Sequence, residues 1–576
     1  MSLLDISNLT VEYPTRHQVF FAVDDASLSV GPGEIHGLVG ESGAGKSTIG
    51  AAVMGLLERP GFISSGQVSL RGEQISGSDA SAMRALRGNK ISMIFQDPLT
   101  SLNPLFTVRE QIVETILEHL DVSKAEANTR ARDLMERVGI PDPDSRLDQY
   151  PHQFSGGMRQ RVVIALALCS EPEVIIADEP TTALDVSVQA QILDLIKDLA
   201  RERRVGVILI THDIGVIAQT TDHVTVMYKG KIVETGPTPQ IMGHPRHDYT
   251  KSLIAAVPRS NLKLKRFPQI SYDGRATRFA IEDLSRDWKP VKHDANKPLL
   301  EVQHVVKKFT LRQSLIPWLR TTMTAVDDVS FDIWPGEVFG VVGESGSGKS
   351  TVARVISGLF GAESGTIRFS GEVVSDKSDK KTVDAYRRKI QMIFQDPFSS
   401  LNPRMRVDNI VAEPIRHHRL LSGDAVTHRV DELLESVGLS ADAGRRYPHE
   451  FSGGQRQRIS IARALATQPQ FLICDEPTSA LDVSIQAQVL NILKDLREHL
   501  GLTMLFISHD LPVIRQMCDR VAVMKSGKLV ELQATDTLFS APQHAYTKEL
   551  LTLMPKLDSL SDEGLKDMEE RNGTTG

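Results

Sequence analysis

Two short stretches carry the residue types that hold a nucleotide phosphate. Gly40-Glu41-Ser42-Gly43-Ala44-Gly45-Lys46-Ser47 and Gly343-Glu344-Ser345-Gly346-Ser347-Gly348-Lys349-Ser350 both satisfy G-x-x-x-x-G-K-[ST], and Thr48 and Thr351 follow them. Glycines let a backbone curl until its amides face phosphate oxygens, at the start of a helix whose dipole is positive there. In such a loop Lys46 and Lys349 would hold the β- and γ-phosphates of ATP, and Ser47 and Ser350 would ligate Mg²⁺. One match can arise by chance, but two matched copies do not.

Other chemistry-bearing residues recur in the same order. Asp178 and Asp475 close apolar runs and are each followed by an acid, Glu179 and Glu476. The alternative is a pair of solvated loop carboxylates. The carboxyl end of a buried strand is instead where α/β sheets bind ligands, so the aspartates suit Mg²⁺ and the glutamates suit an attacking water. His212 in "ILITHDIG" and His509 in "LFISHDLP" also follow apolar runs. A lone histidine is usually structural; a matched pair is a candidate for γ-phosphate contact. Gln96 and Gln395 close "KISMIFQ" and "KIQMIFQ", with a side-chain oxygen for Mg²⁺ or the water. Finally, "FSGGMRQR" (154–161) and "FSGGQRQR" (451–458) look like anion cradles without a lysine.

The elements that position these residues follow from the repeat. "IFQDPLTSLNP" (94–104) answers "IFQDPFSSLNP" (393–403), and "HPRHDYTKSL" (244–253) answers "APQHAYTKEL" (541–550). Repeats of this length are duplicated domains, because solenoid periods run about 20–50 residues. The reading is domain 1 over 1–258, a solvated linker over 259–297 with ten Lys/Arg against five Asp/Glu, and domain 2 over 298–555. The tail 556–576 carries six acids against three bases and reads as disordered. "EIHGLVG" (34–40) and "EVIIADE" (173–179) read as buried parallel strands. Residues 186–202 read as a helix with Val188, Ile192, Leu195, Ile196 and Leu199 on one face.

Composition narrows the partners. The 576 residues are 41% hydrophobic and 24% charged with net charge −7, which gives no global basic field for nucleic acid. Cys169, Cys474 and Cys518 are scattered without a CxxC pair, against a disulfide framework or zinc ribbon. No apolar run reaches the roughly 18–20 residues of a membrane span, and the start lacks the pattern of a signal peptide. The expectation is a cytoplasmic chain.

Both halves, motif by motif, resemble the ATPase subunits of ABC transporters. That resemblance implies an α/β fold of two tandem P-loop ABC ATPase domains, each a mixed sheet with a helical subdomain, packed head to tail around ATP. Ser155, Gly156 and Gly157 resemble the family signature and would face the γ-phosphate on the Lys349 loop; Ser452, Gly453, Gly454 and Gln455 would face the one on the Lys46 loop. The partner half then supplies the lysine that each cradle lacks. Tyr13 and Phe309 occupy the place of the adenine-stacking aromatic, although 310–324 lengthens the second gap. Asp185 and Asp482 end stretches similar to D-loops.

"FQDPxxSLNP", "YPHQFSGGMRQR"/"YPHEFSGGQRQR" and "YTK" resemble the dipeptide, oligopeptide and nickel importer group, a D-type half followed by an F-type half. This implies one fused chain per transporter, two integral membrane permease subunits and an extracytoplasmic solute-binding protein. It places the chain peripherally at the cytoplasmic face of the bacterial inner membrane. Met158 departs from the usual glutamine, which Gln455 keeps, so the two sites are expected to differ in nucleotide affinity. No cysteine occurs in 251–297, so the cluster many relatives carry there is not expected. A soluble tandem ATPase acting on ribosomes or DNA would need a basic surface or a long helical arm, and Pro268, Gly274 and Pro290 interrupt the only candidate. An exporter ATPase is disfavoured by the same importer resemblance.

Overall fold

The computed structural model describes residues 2–15, 18–181, 184–259, 263–268, 279, 281–288, 293–312, 321–374, 380–479 and 481–554. The chain divides into two compact units, Met1–Val257 and Pro258–Met554. The tail from Lys556 and residues 313–320 of the second-half insertion lie outside the described residues.

The first unit is built on a six-stranded sheet in the order Lys231–Pro237, His223–Tyr228, Ile35–Val39, Gly206–Ile210, Val174–Asp178, Ile91–Ile94. All neighbours pair in parallel except the antiparallel edge strand Lys231–Pro237. The strands Ile35–Val39, Val174–Asp178 and Gly206–Ile210 are buried along their whole length, which is why they read as unbroken apolar runs. A four-stranded antiparallel sheet, in the order Val19–Val30, Leu4–Pro14, Phe62–Leu70, Glu73–Gln74, completes the core side. The helices Val108–His119, Lys124–Arg137 and Gly156–Leu168 pack together as a helical layer. Its core joins Ile112, Ile116, Met135 and Ile164 to the inner face of helix Val186–Arg203. On that last helix Ile192, Ile196 and Leu199 are buried as the 3.6-residue spacing requires, while Val188 and Leu195 are only partly buried.

The second unit repeats this architecture. Its six-stranded sheet runs Ile390–Ile393, Phe471–Asp475, Thr503–Ile507, Val338–Val342, Arg520–Lys525, Lys528–Ala534, and its four-stranded sheet runs Thr321–Ile333, Leu300–Arg312, Ser364–Phe369, Glu372–Val374. In both units the phosphate-loop strand lies inside the sheet, flanked by parallel strands, so the functional side chains collect at one edge of a rigid scaffold.

The segment expected to be a solvated linker, 259–297, differs from that reading in its described part. Leu264, Phe267, Ile281, Leu284 and Trp288 are buried, and helix Ile281–Asp287 packs on the second unit's helices Asp424–Ser436 and Val483–Leu500. Side chains of that unit also grip the strap's backbone. Asn491 accepts from Phe267 N–H and donates to Phe267 O, both at 2.9 Å, and Gln516 accepts from Leu264 N–H at 2.8 Å. Arg266 pairs with buried Asp495 at 2.5 Å. Burying a Leu, Ile or Phe side chain is worth about 1.5–3 kcal/mol, so a few anchors set among charges suffice to hold a strap.

Candidate nucleotide site

Each phosphate loop leaves a buried strand and opens into a helix, Lys46–Val53 in one unit and Lys349–Ile356 in the other. Glycine is required by geometry at Gly45, with φ of 99°, where a Cβ would stand 2.3 Å from Ala22 O; Gly348 repeats this against Ala325 O. Lys46 is buried, and its ammonium donates to Gly40 O at 2.8 Å and Glu41 O at 2.9 Å. Lys349 does the same to Gly343 O and Glu344 O, at 2.6 and 2.9 Å. Both lysines therefore sit inside the curl of their own loop.

Ser47 Oγ donates to Asp178 Oδ1 at 3.0 Å, and Ser350 Oγ to Asp475 Oδ1 at 2.8 Å. Burial pushes the Asp178 carboxyl up to about 6, against the hydrogen bond from Ser47. Burial likewise holds Asp475 above the usual carboxylate range. A hydroxyl and a desolvated carboxylate together form a hard-oxygen donor set, which fits Mg²⁺.

The other candidates converge on one carboxylate in each unit. Gln96 Nε2 donates to Glu179 Oε2 at 2.8 Å, and His212 Nδ1 bonds Glu179 Oε1 at 3.1 Å. Gln395 and His509 approach Glu476 with the same distances, 2.8 and 3.1 Å. Burial works to raise Glu476, but the hydrogen bond and charge of His509, with Lys349 and Gln395, outweigh it and hold the carboxylate below its ordinary range. Burial opposes the charge on His509, and Glu476 overcomes it, so the imidazole is raised. Both glutamates stand in left-handed backbone, φ 47° and 46°, a costly conformation for a residue with a side chain. In each unit the arrangement is a glutamate side chain held between an amide and an imidazole, one residue from the candidate metal ligand.

The signature stretches start helices. Ser155 caps Gly156–Leu168 and accepts from Met158 N–H; Ser452 caps Gly453–Leu465 and accepts from Gln455 N–H. Gln455 also returns a bond, Oε1 accepting from Ser452 N–H at 3.1 Å, which Met158 has no polar atom to make. A Cβ on Gly156 would meet nothing within 4 Å, so packing within its own unit does not demand glycine there. Tyr13 and Phe309 lie on the antiparallel sheets beside the chain that follows each phosphate-loop helix. Gly61 leaves the room that the Tyr13 ring fills, and Phe309 meets Phe360 edge-on at 5.5 Å.

Two positioning residues escaped the sequence analysis. Tyr249 Oη accepts from Glu41 N–H at 3.2 Å, and Tyr546 Oη from Glu344 N–H at 3.1 Å. Each tyrosine is buried and pins the crown of a phosphate loop from about two hundred residues away. Their only sequence signal is that "YT" occurs in both repeats.

A phosphate loop, a strand-end carboxylate pair, a glutamine, a histidine and a serine-capped glycine pair, all present twice, define an ATP-hydrolysing P-loop protein. The sequence profile of the ABC transporter family matches residues 23–182 and 326–479, and that of the oligopeptide/dipeptide transporter C-terminal region matches 233–278 and 530–574. The glutathione import ATP-binding proteins GsiA of Shigella dysenteriae serotype 1 and Escherichia coli (strain K12) are each 46% identical over 563 residues, covering 96% of this chain and 90% of theirs. A bacterial ABC transporter cassette solved as a dimer aligns with 41% of this chain and 98% of its own, at 28% identity and a TM-score of 0.38. The chain belongs to the ABC transporter family, as a tandem ATPase of its oligopeptide/dipeptide importer branch. Among the described residues, no helix is long and apolar enough to cross a membrane.

Proposed function

We propose that this chain hydrolyses ATP at two composite sites to drive uptake of a peptide-class solute, glutathione among the candidates, through two membrane permease subunits fed by an extracytoplasmic binding protein. The observation that carries the chemistry is the convergence of Gln96 and His212 on Glu179, repeated by Gln395 and His509 on Glu476.

In this reading Lys46 and Lys349 leave their loop carbonyls for the β- and γ-phosphates, and the loop amides surround the same oxygens. Ser47 with Asp178, and Ser350 with Asp475, hold Mg²⁺, with Gln96 and Gln395 as further ligands. The metal supplies charge neutralisation on the phosphates. Glu179 and Glu476 accept a proton from the attacking water, and His212 and His509 hold those carboxylates while contacting the γ-phosphate. Ser155-Gly156-Gly157 reads the phosphate on the Lys349 loop, and Ser452-Gly453-Gly454 with Gln455 the one on the Lys46 loop. Supporting this, each signature starts a helix whose amides and dipole suit an anion, and Gly156 is bare without an internal packing reason. Tyr13 and Phe309 stack on adenine.

One fused chain serves each transporter at the cytoplasmic face of the inner membrane, because it already holds both halves of both sites. Purification of the tagged chain from detergent-solubilised membranes tests the importer assignment. Two polytopic membrane proteins are the expected companions; ribosomal or DNA-repair proteins without them would overturn it.

A further inference from the structure

The chain leaving Gln96 and the chain leaving Gln395 build matching surfaces of opposite charge. After Gln395 come the short helix Pro397–Ser400, a turn, and the helix Val407–His417. Arg404, Arg406 and Arg416 are exposed along this path and, with Met405, Glu413 and Tyr447, line a recess of about 710 Å³. Arg416 donates to the neutral Asn409 Oδ1 at 2.9 Å, and among the described residues no carboxylate forms an ion pair with any of the three arginines.

The first unit follows the same path from Gln96 through Pro98–Ser101 to the helix Val108–His119. Where the second unit has Arg404, Arg406 and Arg416, the first has Leu105, Thr107 and Leu117. Where the second has Asn409, Glu413 and His417, the first has Glu110, Glu114 and Glu118. These glutamates recur every four residues, so they form one exposed stripe along the helix. Beside the stripe stand Leu105, Phe106 and Leu117, which are 79%, 46% and 40% exposed. Three arginines against one glutamate in the second unit thus become three glutamates and no Lys or Arg at the matching positions of the first.

An exposed apolar patch rimmed by charge marks a surface that receives a protein or a membrane. The negative surface of a membrane would repel the first unit's stripe, so matching faces on both units point to protein. Both faces also continue directly from the site, since Gln96 and Gln395 bond Glu179 and Glu476 at 2.8 Å. A partner seated there acts on that bond. Cytoplasmic loops of membrane proteins carry an excess of Lys and Arg. Such a loop suits the acidic stripe and is repelled by the arginines. Two copies of one permease subunit would therefore meet attraction on one unit and repulsion on the other.

Resting on the importer reading above, we propose that the two faces sort two different permease subunits by charge. The recess at Arg404, Arg406 and Arg416 receives a cytoplasmic segment rich in Asp and Glu. The stripe of Glu110, Glu114 and Glu118 receives one rich in Lys and Arg. The fused chain is thereby held in one orientation beneath a permease of two unlike halves.

A photoreactive phenylalanine analogue in place of Tyr447 and, in a second full-length protein, in place of Tyr150 tests this. Intact membranes are irradiated and the crosslinked peptides are sequenced by mass spectrometry. The expected result is a net acidic peptide of one polytopic protein at Tyr447 and a net basic peptide of a different one at Tyr150. The same subunit at both places, or peptides of the reverse sign, would overturn the sorting and leave the importer reading standing. An adduct with anionic lipid alone at Tyr447 would overturn it in favour of a membrane contact. No polytopic protein at either place would overturn the importer reading as well. In a second measurement, R404E/R406E/R416E in the full chain should lower the permease that co-purifies about tenfold, and equal recovery would overturn the role of the charges.

Discussion

Replacing Tyr249 by phenylalanine removes the hydroxyl that supports the first phosphate loop. The ring stays buried against Tyr228, whose centroid is 4.4 Å away, so the packing survives. What is lost is the acceptor for Glu41 N–H, 3.2 Å distant. A hydrogen bond of this kind is worth about 0.5–1.5 kcal/mol net. The loss does not enter ATP affinity directly, since the bond can persist in the bound loop. It enters by lowering the fraction of molecules whose loop is already curled for phosphate, and the apparent Kd rises in inverse proportion to that fraction. The upper bound is therefore about tenfold, reached only if the curl depends on this bond alone. Nucleotide titration by calorimetry should give a loss of about two- to tenfold for Tyr249→Phe, and the same for Tyr546→Phe. Amide exchange at residues 40–46 should accelerate with it. Unchanged affinity together with unchanged loop exchange would rule out support of the loop through this one bond. So would a loss of a hundredfold or more, which one neutral hydrogen bond cannot supply.

Further outcomes follow from the same geometry. Gly156→Ala should fold and bind ATP normally but lose most hydrolysis, because the new methyl meets nothing in its own unit; normal turnover would remove the signature from the phosphate site. Gly454→Ala should in addition lower the melting temperature, since its Cβ would stand 2.1 Å from Ile485 Cγ2. Burial lowers the Lys494 ammonium to about 8 from 10.5, so the unfolded chain holds more protons than the native one between those values. Stability should therefore climb across that window as pH rises, and Lys494→Met should flatten the climb in denaturant titrations, while an unaltered slope would show that Lys494 is not its source.

The chemistry was legible in the sequence because it is local. Each glycine loop needs contiguous residues, each strand-end aspartate marks its own apolar run, and repetition turns a solitary histidine into a candidate. Even the convergence on Glu179 could be anticipated, since Gln96, Glu179 and His212 all lie at or just beyond the carboxyl ends of buried parallel strands. What the sequence concealed depends on long-range pairing. Tyr249 reaches Glu41 across 208 residues, and nothing in its neighbourhood encodes that contact. The strap was hidden for another reason. Leu264, Phe267, Ile281, Leu284 and Trp288 are thinly spread among ten basic residues, and so sparse a pattern has the composition of a solvated linker. Its anchors become visible only against the helix Val483–Leu500 that receives them.

In the proposed mechanism Glu179 and Glu476 activate the attacking water, one at each ATP site. Turnover by the purified full chain, with each glutamate changed to glutamine singly and then together, tests it most directly. The double variant should bind ATP with undiminished affinity and hydrolyse it about 10²–10⁴-fold more slowly, the usual worth of a positioned base. Hydrolysis by the double variant at the wild-type rate would show that neither glutamate activates the water.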